Sequence, residues 1–300
     1  MMRAVAVGRF DGVHLGHRYL LEETRRRTPD HALVAYTFPP RGPSLLTLDA
    51  KVQLLQSLAD EVWIARWEEI QHMTAEAFVR EELWQRLGAT AVAVGPDHRF
   101  GRGRTGDLAT LRRLASSLPM AVHTIPPLEL DGAVVSAARI RALVSAGDVE
   151  QAARLLGRPA WLAGTPIPGV RLARRLGYPT VNLDLAPELV RPRSGVYAAW
   201  AQWSGGESRA LFYIGRRLTF TGLPPSAEVH LFAPPPHPVA GPVEVHLIRW
   251  IRPDQRFPDA QALVAQIARD RVQAEEVLST IAAPPRLLRS TELRTPGAGA

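Results

Sequence analysis

The side chains most suited to chemistry lie close to the amino terminus, in the run Gly8-Arg-Phe-Asp-Gly-Val-His-Leu-Gly-His17. The apolar residues 4–7 precede this run, and Leu20 and Leu21 follow it on one face of a helical pattern. This order predicts a strand, a tight glycine turn and a helix. The first turn of such a helix has unpaired backbone N–H groups and the positive end of the helix dipole, and both favour anions.

Two imidazoles and two glycines give this turn its chemistry. His14 and His17 reach the helix N-terminus, and Gly12 and Gly16 have no Cβ, so that a triphosphate can approach the backbone closely. One superfamily of α/β nucleotidylyltransferases holds ATP with His-x-Gly-His in this position. We therefore interpret the turn as a nucleotide-binding site rather than as an ordinary turn with two surface histidines.

The composition limits the classes of protein to which this chain can belong. The chain has 300 residues, of which 46% are hydrophobic and 22% are charged, and this predicts a globular, soluble protein with one large domain or two ordinary ones. No apolar run approaches the length of a membrane span, about 18 residues, and no signal-peptide pattern is present. Because no apolar run is long enough, we expect no membrane partner. Because the chain has no cysteine, disulfides and thiolate metal sites are excluded, and this fits the cytoplasmic location that we expect.

The net charge of +7 is almost entirely arginine, since Lys51 is the only lysine. The arginines are scattered, and no basic run is interleaved with the aromatic residues that nucleic-acid binding favours. The planar guanidinium also suits small ligands that carry phosphate. We therefore expect small-molecule partners and no nucleic acid. The single lysine also argues against a class I aminoacyl-tRNA synthetase, which shares His-x-Gly-His but needs a second, lysine-based motif.

Strand and helix patterns alternate in the first half of the chain. Strands are predicted at residues 32–38, 62–67, 90–94 and 120–125, and helices at 48–59, 74–87 (with Thr74 as its N-cap), 107–117, 136–146 and 148–156. This alternation predicts an α/β doubly wound parallel sheet that binds ligands at the carboxyl ends of its strands. The glycine-rich segments 8–17 and 95–106 both follow such strands.

The pattern changes near residue 157. Short strands with proline and glycine turns over residues 161–252 predict a small antiparallel β-barrel, and a C-terminal helix follows at 258–277. Two similar tetrapeptides, residues 228–231 and 244–247, flank a proline-rich loop and predict a long hairpin. We therefore divide the chain into domains at residues 1–157 and 158–283, with a disordered tail at 284–300.

The order and spacing of these motifs resemble the bacterial bifunctional riboflavin kinase/FAD synthetase family over residues 4–280, as a divergent member. In the first half the resemblance rests on residues 8–17, Thr37-Phe38, Gly95-Pro-Asp-His-Arg-Phe-Gly-Arg-Gly-Arg-Thr-Gly106 and Ser136-Ala-Ala-Arg-Ile-Arg141. In the second half it rests on Gly177-Tyr-Pro-Thr-Val-Asn182, Ser194-Gly-Val-Tyr197, Ile214-Gly-Arg-Arg-Leu-Thr-Phe220 and Ala227-Glu-Val-His230.

The resemblance implies two reactions, with ATP as co-substrate and Mg²⁺ as cofactor. The N-terminal domain, similar to an FMN adenylyltransferase, would move AMP from ATP onto FMN and so make FAD. The C-terminal domain, similar to a riboflavin kinase, would phosphorylate riboflavin to FMN. In the first domain the resemblance assigns catalysis to His14 and His17. It assigns ATP and phosphate binding to Gly8, Phe10, Asp11, Gly12, Gly16, Asp97, Ser136 and Arg141.

In the barrel, the resemblance makes Glu228 the general base that accepts the proton of the attacking alcohol. It places Mg²⁺ and the oxygens of ATP on Thr180 and Asn182. It assigns a loop that covers the phosphates to Gly164 and Gly169, ahead of Arg174.

Simpler interpretations of these residues stay open. Thr180 and Asn182 alternate along a strand and could make turn hydrogen bonds. Glu228 could be a solvated carboxylate, since Glu244 stands in an almost identical tetrapeptide. Asp97 could cap its own glycine loop.

Several positions depart from the family pattern. Ala137 and Ala138 replace two hydroxyl residues that would bind phosphate oxygens, and each hydrogen bond lost to a charged group costs about 1.5–3 kcal/mol. Arg9 replaces an Asn beside the phosphate site, and Tyr213 and Leu218 replace an Asn and a Pro in the second half. Two alternatives therefore stay open: a relative that keeps only riboflavin kinase activity, and an inactive flavin- or nucleotide-binding regulator. The sequence also leaves the oligomeric state open.

Overall fold

The computed structural model describes residues 1–168, 180–215 and 226–288, which form two compact units. The first unit consists of Met1–Ala146, Gln151–Arg158 and Glu188–Arg191. The second consists of the described residues within Gly147–Glu150, Pro159–Pro187 and Pro192–Ala300.

A parallel sheet of five strands forms the centre of the first unit. Its strands are β1 (Arg3–Val7), β2 (Ala32–Thr37), β3 (Glu61–Ile64), β4 (Ala89–Val94) and β5 (Ala121–Thr124), in the order β3-β2-β1-β4-β5. The helices are α1 (Leu15–Arg27), α2 (Leu48–Gln56), α3 (Trp67–Ile70), α4 (Ala75–Ala77), α5 (Leu108–Ala115), α6 (Ala137–Ala146) and α7 (Val149–Leu156). A π-helical segment, Phe78–Arg86, continues α4, and a short antiparallel pair, β6 (Glu129–Leu130) and β7 (Ala133–Val134), precedes α6. The predicted α/β doubly wound parallel sheet is confirmed.

Local chemistry explains where these elements begin. The central strand β1 is apolar and almost wholly buried, as expected for a parallel strand that is covered on both faces. Thr74 caps α4, as predicted, because its Oγ1 accepts a hydrogen bond from the Ala77 N–H at 3.1 Å. The strand predicted at residues 62–67 ends earlier, at Ile64, because Trp67 begins the short helix α3.

The strand order reverses between β1 and β4, which are neighbours at the centre of the sheet. β2 and β3 lie on one side of this point, and β4 and β5 continue on the other. The segments that leave β1 and β4 therefore flank the topological switch point, where α/β sheets of this kind bind ligands. These segments are the two glycine-rich runs that begin at Gly8 and Gly95.

A closed antiparallel barrel of six strands forms the second unit. Its strands are β8 (Ala160–Ile167), β9 (Thr180–Leu185), β10 (Gly195–Trp203), β11 (Gly206–Gly215), β12 (Ser226–Leu231) and β13 (Val243–Arg252). They follow the order β10-β11-β12-β9-β8-β13, and β13 pairs with β10 to close the barrel. The predicted barrel and C-terminal helix are thus confirmed, and that helix is α8 (Ala260–Ser279).

Helix α8 packs on the barrel through one apolar cluster. Ile267, Ala274 and Leu278 of the helix pack against Val196 and Leu211 of the strands β10 and β11. Asp259 caps the helix, because its Oδ1 accepts the Ala262 N–H at 2.8 Å.

The predicted hairpin between the two similar tetrapeptides is wrong. β12 pairs with β11 and β9, whereas β13 pairs with β8 and β10, so that the two strands are not neighbours. The reason is closure of the barrel, since both edges of each strand are occupied by other strands. The two tetrapeptides therefore stand in different surroundings.

The C-terminal segment is ordered further than the sequence predicts. The structure describes the chain to residue 288, and the backbone N–H groups of Leu287 and Leu288 donate to the Glu244 carboxylate at 2.8 and 2.9 Å. The remainder of the predicted tail, residues 289–300, lies outside the described residues.

Candidate functional site

The turn after β1 has an unusual backbone conformation. Gly12 has φ +80°, and Phe10 and Val13 also lie in the left-handed region, with φ 49° and 41°. Such angles are rare for residues with a Cβ, and they persist where the surrounding structure holds them and a site is pre-organised. At Gly12 an added Cβ would come within 2.7 Å of the Leu45 side chain, so that both the angle and the space require glycine. The turn is therefore held in one shape before α1 begins.

The two histidines of this turn stack on each other. The rings of His14 and His17 are 3.6 Å apart between centroids and tilted by 19°, and His14 is the N-cap residue of α1. Burial, with a smaller effect of the Arg158 charge, lowers the pKa of His14 from 6.5 to about 4. Burial also holds the pKa of His17 well below 6.5, with further effects of His14, Lys51 and Arg158. Both imidazoles are therefore neutral at pH 7 and act there as hydrogen-bonding groups rather than as cations.

Phe10 supports the histidines from the core. Its side chain is fully buried, and its ring meets the His17 ring edge-on at 5.2 Å. An added Cβ at Gly8 would meet the Phe10 ring at 3.2 Å, and one at Gly16 would meet the His14 ring and the Val135 carbonyl oxygen at 3.1–3.2 Å. Sequence reasoning placed Phe10 among the phosphate-binding residues. The structure buries its ring in the core, and a role of Phe10 in phosphate binding stays a prediction.

Asp11 and Arg141, which are 130 positions apart in the chain, form an ion pair in the first unit. The other oxygen of Asp11 accepts the Leu45 N–H at 2.7 Å. The Asp11 carboxylate therefore fixes the arginine from α6 beside the turn. The same carboxylate balances the charge of Arg141.

The other predicted phosphate-binding residues of this unit lie on loops and at a helix start. Asp97 is exposed in the segment after β4, where the His98 N–H donates to the Gly95 carbonyl oxygen at 3.2 Å. Ser136 precedes α6, and its Oγ accepts the Arg139 N–H at 3.3 Å. Ser136 is the hydroxyl residue that remains beside Ala137 and Ala138. Its side chain accepts a backbone N–H at the start of α6, a position where serine is favoured.

Sequence reasoning missed two cations near this turn. Lys51, the only lysine, is 3% exposed, and its Nζ donates to the carbonyl oxygens of Arg9 and Phe38, the former at 3.3 Å. Burial lowers the pKa of Lys51 from 10.5 to about 8. Arg158 donates from Nη2 to the Gly12 carbonyl oxygen at 2.7 Å. The isolated lysine in an arginine-rich chain was a signal for the first residue, whereas no local pattern marked the second.

A second polar group lies across strands β9 and β12 of the barrel. Glu228 stands directly opposite Asn182, and His230 directly opposite Thr180. Residues directly opposite in an antiparallel pair share one face of the sheet, so that all four side chains lie on the same face. The intervening Val229 is fully buried on the other face. The structure thus brings together three of the polar residues that the sequence selected in the barrel, Thr180, Asn182 and Glu228.

Hydrogen bonds orient the side chains of this face. The Thr180 hydroxyl lies 3.0 Å from Nδ1 of His230, and the Ser226 hydroxyl donates to Glu228 Oε1 at 2.8 Å. Burial lowers the pKa of His230, against the raising effects of Glu228 and Asp270. A neutral imidazole can therefore hold the threonine hydroxyl. Sequence reasoning quoted His230 within a motif but gave it no role.

The two similar tetrapeptides differ in their surroundings. Glu228 is partly exposed, whereas Glu244 is 3% exposed and accepts hydrogen bonds from the Trp161 indole and from two backbone N–H groups of the C-terminal segment. His246 is buried as well, and its Nε2 lies 3.0 Å from the Gln202 side-chain oxygen. Glu244 is therefore a structural carboxylate, whereas Glu228 keeps part of its surface exposed to solvent.

The prediction that Gly164 belongs to a loop is wrong. Gly164 belongs to strand β8, where it pairs with Val243 and Leu185, and not to a loop. An added Cβ there would come within 2.6 Å of the Asp184 carbonyl oxygen, so that close packing of the barrel wall explains this glycine. Gly169, Arg174 and Leu218 lie outside the described residues.

The barrel residues suit a hard cation better than a soft one. The structure shows no cluster of three or more His, Cys, Asp or Glu side chains within residues 1–168, 180–215 and 226–288 that could hold a metal alone. The face of β9 and β12 instead offers a hydroxyl, an amide and a carboxylate side by side. Mg²⁺ typically takes one or two protein oxygens and obtains the rest from phosphates and water. Thr180 and Asn182 therefore fit Mg²⁺ that arrives with a nucleotide.

Two family models match the chain in the same order as the two units. The model described as FAD synthetase matches residues 2–139, and the model described as riboflavin kinase matches residues 156–278. The chain therefore carries both an FAD synthetase domain and a riboflavin kinase domain.

Relatives and a solved structure match along almost the whole chain. The bifunctional riboflavin kinase/FMN adenylyltransferase of Haemophilus influenzae is 30% identical, over 89% of this chain and 91% of its own. The protein of the same name from Escherichia coli K12 is 32% identical, over 91% of each chain. A crystal structure described as a macrolide-efflux protein from Streptococcus pneumoniae has a TM-score of 0.80 and 25% identity, over 94% of this chain and 95% of that one.

The name of that solved structure and the names of the two enzymes point to different activities. Separately from these names, none of the helices within residues 1–168, 180–215 and 226–288 meets the length and hydropathy of a membrane span. The two domain models and the identity along nine-tenths of each chain agree with the enzymes. The protein belongs to the bifunctional riboflavin kinase/FMN adenylyltransferase family.

Proposed function

We propose that this chain carries out both steps of FAD synthesis, the first in its barrel and the second in its α/β unit. In the first step ATP phosphorylates riboflavin to FMN, and in the second ATP adenylylates FMN to FAD. The observation that carries this proposal is the retention of polar groups at both sites, with His14 and His17 at the switch point and Asn182 opposite Glu228 in the barrel. Each site is built within one unit, so that each reaction can be tested separately.

The adenylyl step requires alignment and charge neutralisation more than acid–base chemistry. A phosphate oxygen of FMN attacks the α-phosphorus of ATP, and pyrophosphate leaves with the electron pair of the broken P–O bond. The nucleophile is already an anion, so that the protein mainly aligns it and stabilises charge on the leaving group. We assign the polyphosphate to the neutral imidazoles of His14 and His17 and to the N-terminus of α1. Arg141, held by Asp11, would close the same site.

The kinase step adds a proton transfer. The primary hydroxyl of riboflavin attacks the γ-phosphorus of ATP, ADP leaves, and the hydroxyl proton must go to a base. We assign this base to the Glu228 carboxylate, which is accessible and is oriented by Ser226. Thr180 and Asn182 would hold Mg²⁺, which neutralises phosphate charge when it is bound. His230 orients the Thr180 hydroxyl.

A kinase-only protein is the second candidate, and one observation favours it. Ala137 and Ala138 stand at the start of α6 without hydroxyls, and the neighbouring Ser136 hydroxyl accepts the Arg139 N–H. The α/β unit thus offers its ligand fewer hydroxyls than the family pattern. For both candidates we expect riboflavin, FMN and ATP as the partners, without nucleic acid or membrane, in the cytoplasm.

The first experiment incubates the chain with riboflavin, ATP and Mg²⁺, then separates and quantifies FMN and FAD over time, and repeats the reaction from FMN. FMN followed by FAD is the result expected for the bifunctional enzyme. FMN alone would establish the kinase-only protein. Binding of riboflavin or FMN without either product would contradict both candidates and indicate a flavin-binding regulator.

A further inference from the structure

One arginine joins the end of the first unit to the turn after β1. Arg158 is the last residue of the first unit, and the second unit resumes at Pro159. Its Nη2 donates to the Gly12 carbonyl oxygen at 2.7 Å, across 146 positions of sequence. The guanidinium therefore lies at the turn that carries His14 and His17. The division predicted from the sequence, between residues 157 and 158, assigned Arg158 to the barrel domain instead.

The positive charge of Arg158 contributes to lowering the pKa of both His14 and His17, so that it acts on both rings. Both imidazoles are neutral at pH 7 and bring no positive charge to a polyphosphate. Burial lowers the pKa of Arg158 itself to about 10, and it stays protonated at pH 7. Arg158 is thus a permanent cation in this group.

Several buried nitrogen atoms around this turn have no hydrogen-bond partner among the described residues. Nε and Nη1 of Arg158 are shielded from solvent, and in the part of the chain that the structure describes no atom accepts a hydrogen bond from either. No described carboxylate forms an ion pair with Arg158 or with Arg18, whose positive charge acts on Arg158 and whose Nε is also buried without a partner. His14 is 4% exposed, and its Nδ1 is unpartnered too. Buried donors and an unbalanced buried charge are costly, and an anionic ligand removes that cost.

We propose that Arg158 is a phosphate-binding residue of the adenylyl-transfer site and supplies the fixed charge that meets the polyphosphate of ATP beside His14 and His17. The inference rests on the proposed function for the identity of the ligand. Arg141 differs from Arg158 because Asp11 already balances its charge. The guanidinium of Arg158 keeps its bond to Gly12 and offers its other nitrogens to phosphate oxygens. It therefore stabilises the negative charge that develops on the leaving pyrophosphate.

The test uses the full chain and inorganic tripolyphosphate as the probe. Binding of tripolyphosphate and the KM values for ATP and FMN in FAD formation are measured for the wild type, Arg158→Gln and Arg158→Lys. The control is Arg154→Gln, which removes a charge from the exposed face of α7, where Arg154 pairs with Asp131. We expect Arg158→Gln to weaken tripolyphosphate binding and raise the KM for ATP about tenfold or more, as for the loss of a charged hydrogen bond. Arg158→Lys should lie between, Arg154→Gln should match the wild type, and the KM for FMN and the rate of FMN formation should not change.

Equal tripolyphosphate binding by the wild type and Arg158→Gln would overturn the proposal. An equal loss of affinity for FMN and tripolyphosphate would also overturn it, because it would mark a structural role through the Gly12 carbonyl. If Arg158→Gln does not fold, Arg158→Lys decides, since it keeps a charge and a donor for Gly12, and a loss confined to tripolyphosphate and ATP would support the proposal. A wild type that binds tripolyphosphate through Arg158 but makes no FAD would refute the proposed function alone.

Discussion

Glu228 and Asn182 face each other across the pairing of β12 with β9, and the next pair on the same face joins His230 to Thr180. Phosphoryl transfer to an alcohol needs a proton acceptor near oxygen ligands that can hold Mg²⁺ and phosphate, and this face supplies both side by side. The hydrogen bond between Thr180 and His230 fixes the hydroxyl on this face of the sheet. The pairing of two strands, rather than one contiguous motif, therefore creates the site that we propose for the kinase reaction.

The first prediction concerns Glu228→Gln. The amide keeps the size of the side chain but cannot accept the proton of the attacking hydroxyl, so that FMN formation from riboflavin should fall below detection. ATP binding should stay near the wild-type value, and FAD formation from supplied FMN should continue. Product separation with each starting flavin, together with ATP titration, checks this. Unchanged FMN turnover would rule out Glu228 as the base.

Glu244→Gln is the matched control, because the same change occurs in the same tetrapeptide. The Glu244 carboxylate accepts hydrogen bonds from three N–H groups. A glutamine side chain has an NH₂ group in place of one carboxylate oxygen, and this group cannot accept a hydrogen bond from any of them. Each lost hydrogen bond to a buried charge costs about 1.5–3 kcal/mol of stability. We therefore expect a lower melting temperature for this variant, with FMN turnover per folded molecule unchanged. A loss of turnover without a loss of stability would reverse the roles of the two glutamates.

The second prediction concerns the double change His14→Ala and His17→Ala. The two rings stack at the start of α1, in the unit that does not contain Glu228. We expect FAD formation to be lost and FMN formation to be retained. Quantifying both products from riboflavin in one reaction provides the measurement and its internal control. Loss of both products together would contradict two separate sites.

How far the sequence predicts this molecule depends on the range of the contacts. Thr74 was predicted as an N-cap because its partner, Ala77, is three residues away. The hairpin prediction failed because closure of the barrel places other strands beside β12 and β13. Arg158 was missed because its partner, Gly12, is 146 positions away and no local periodicity reports such a contact. Thr180, Asn182 and Glu228 were found because each lies in a short run of residues that can be recognised by itself, although two such runs are needed to form the site.

The third prediction concerns pH and the α/β unit. The pKa of His14 is about 4 in the folded protein, whereas an unperturbed histidine has a pKa of 6.5. The unfolded state therefore binds more protons than the folded state between these two pH values. The free energy of unfolding should therefore fall as the pH drops from 6.5 to 4, by about 3 kcal/mol for His14 alone. His17, whose pKa is lowered in the same direction, adds to the loss. Neighbouring cations, Lys51 and Arg158, oppose protonation of the pair.

The measurement is hydrogen exchange of the buried amides of β1 and β4 at several pH values, since it reports on this unit alone. His14→Asn keeps a polar side chain without a titrating ring and should reduce the loss of stability between pH 6.5 and 4. His72→Asn, in an exposed turn, is the matched control and should leave the profile unchanged. The same acid dependence in the wild type and His14→Asn would show that other groups set it.

The fourth prediction restores what the α/β unit lacks. Ala137 and Ala138 begin α6, ahead of Arg141, and neither side chain offers a hydroxyl. Ala137 is partly exposed and Ala138 is exposed, so that the first has room for a serine hydroxyl and the second for the hydroxyl and methyl groups of threonine. The combined change Ala137→Ser and Ala138→Thr should raise the rate of FAD formation about tenfold, as one added hydrogen bond to a charged phosphate would. FMN formation should not change, because the barrel is untouched.

The rates from FMN and from riboflavin are compared with those of Ser145→Ala, a change at an exposed hydroxyl near the other end of α6. If the double variant is no faster than the wild type, phosphate binding in this site does not depend on those hydroxyls, and the cations around the turn supply it instead.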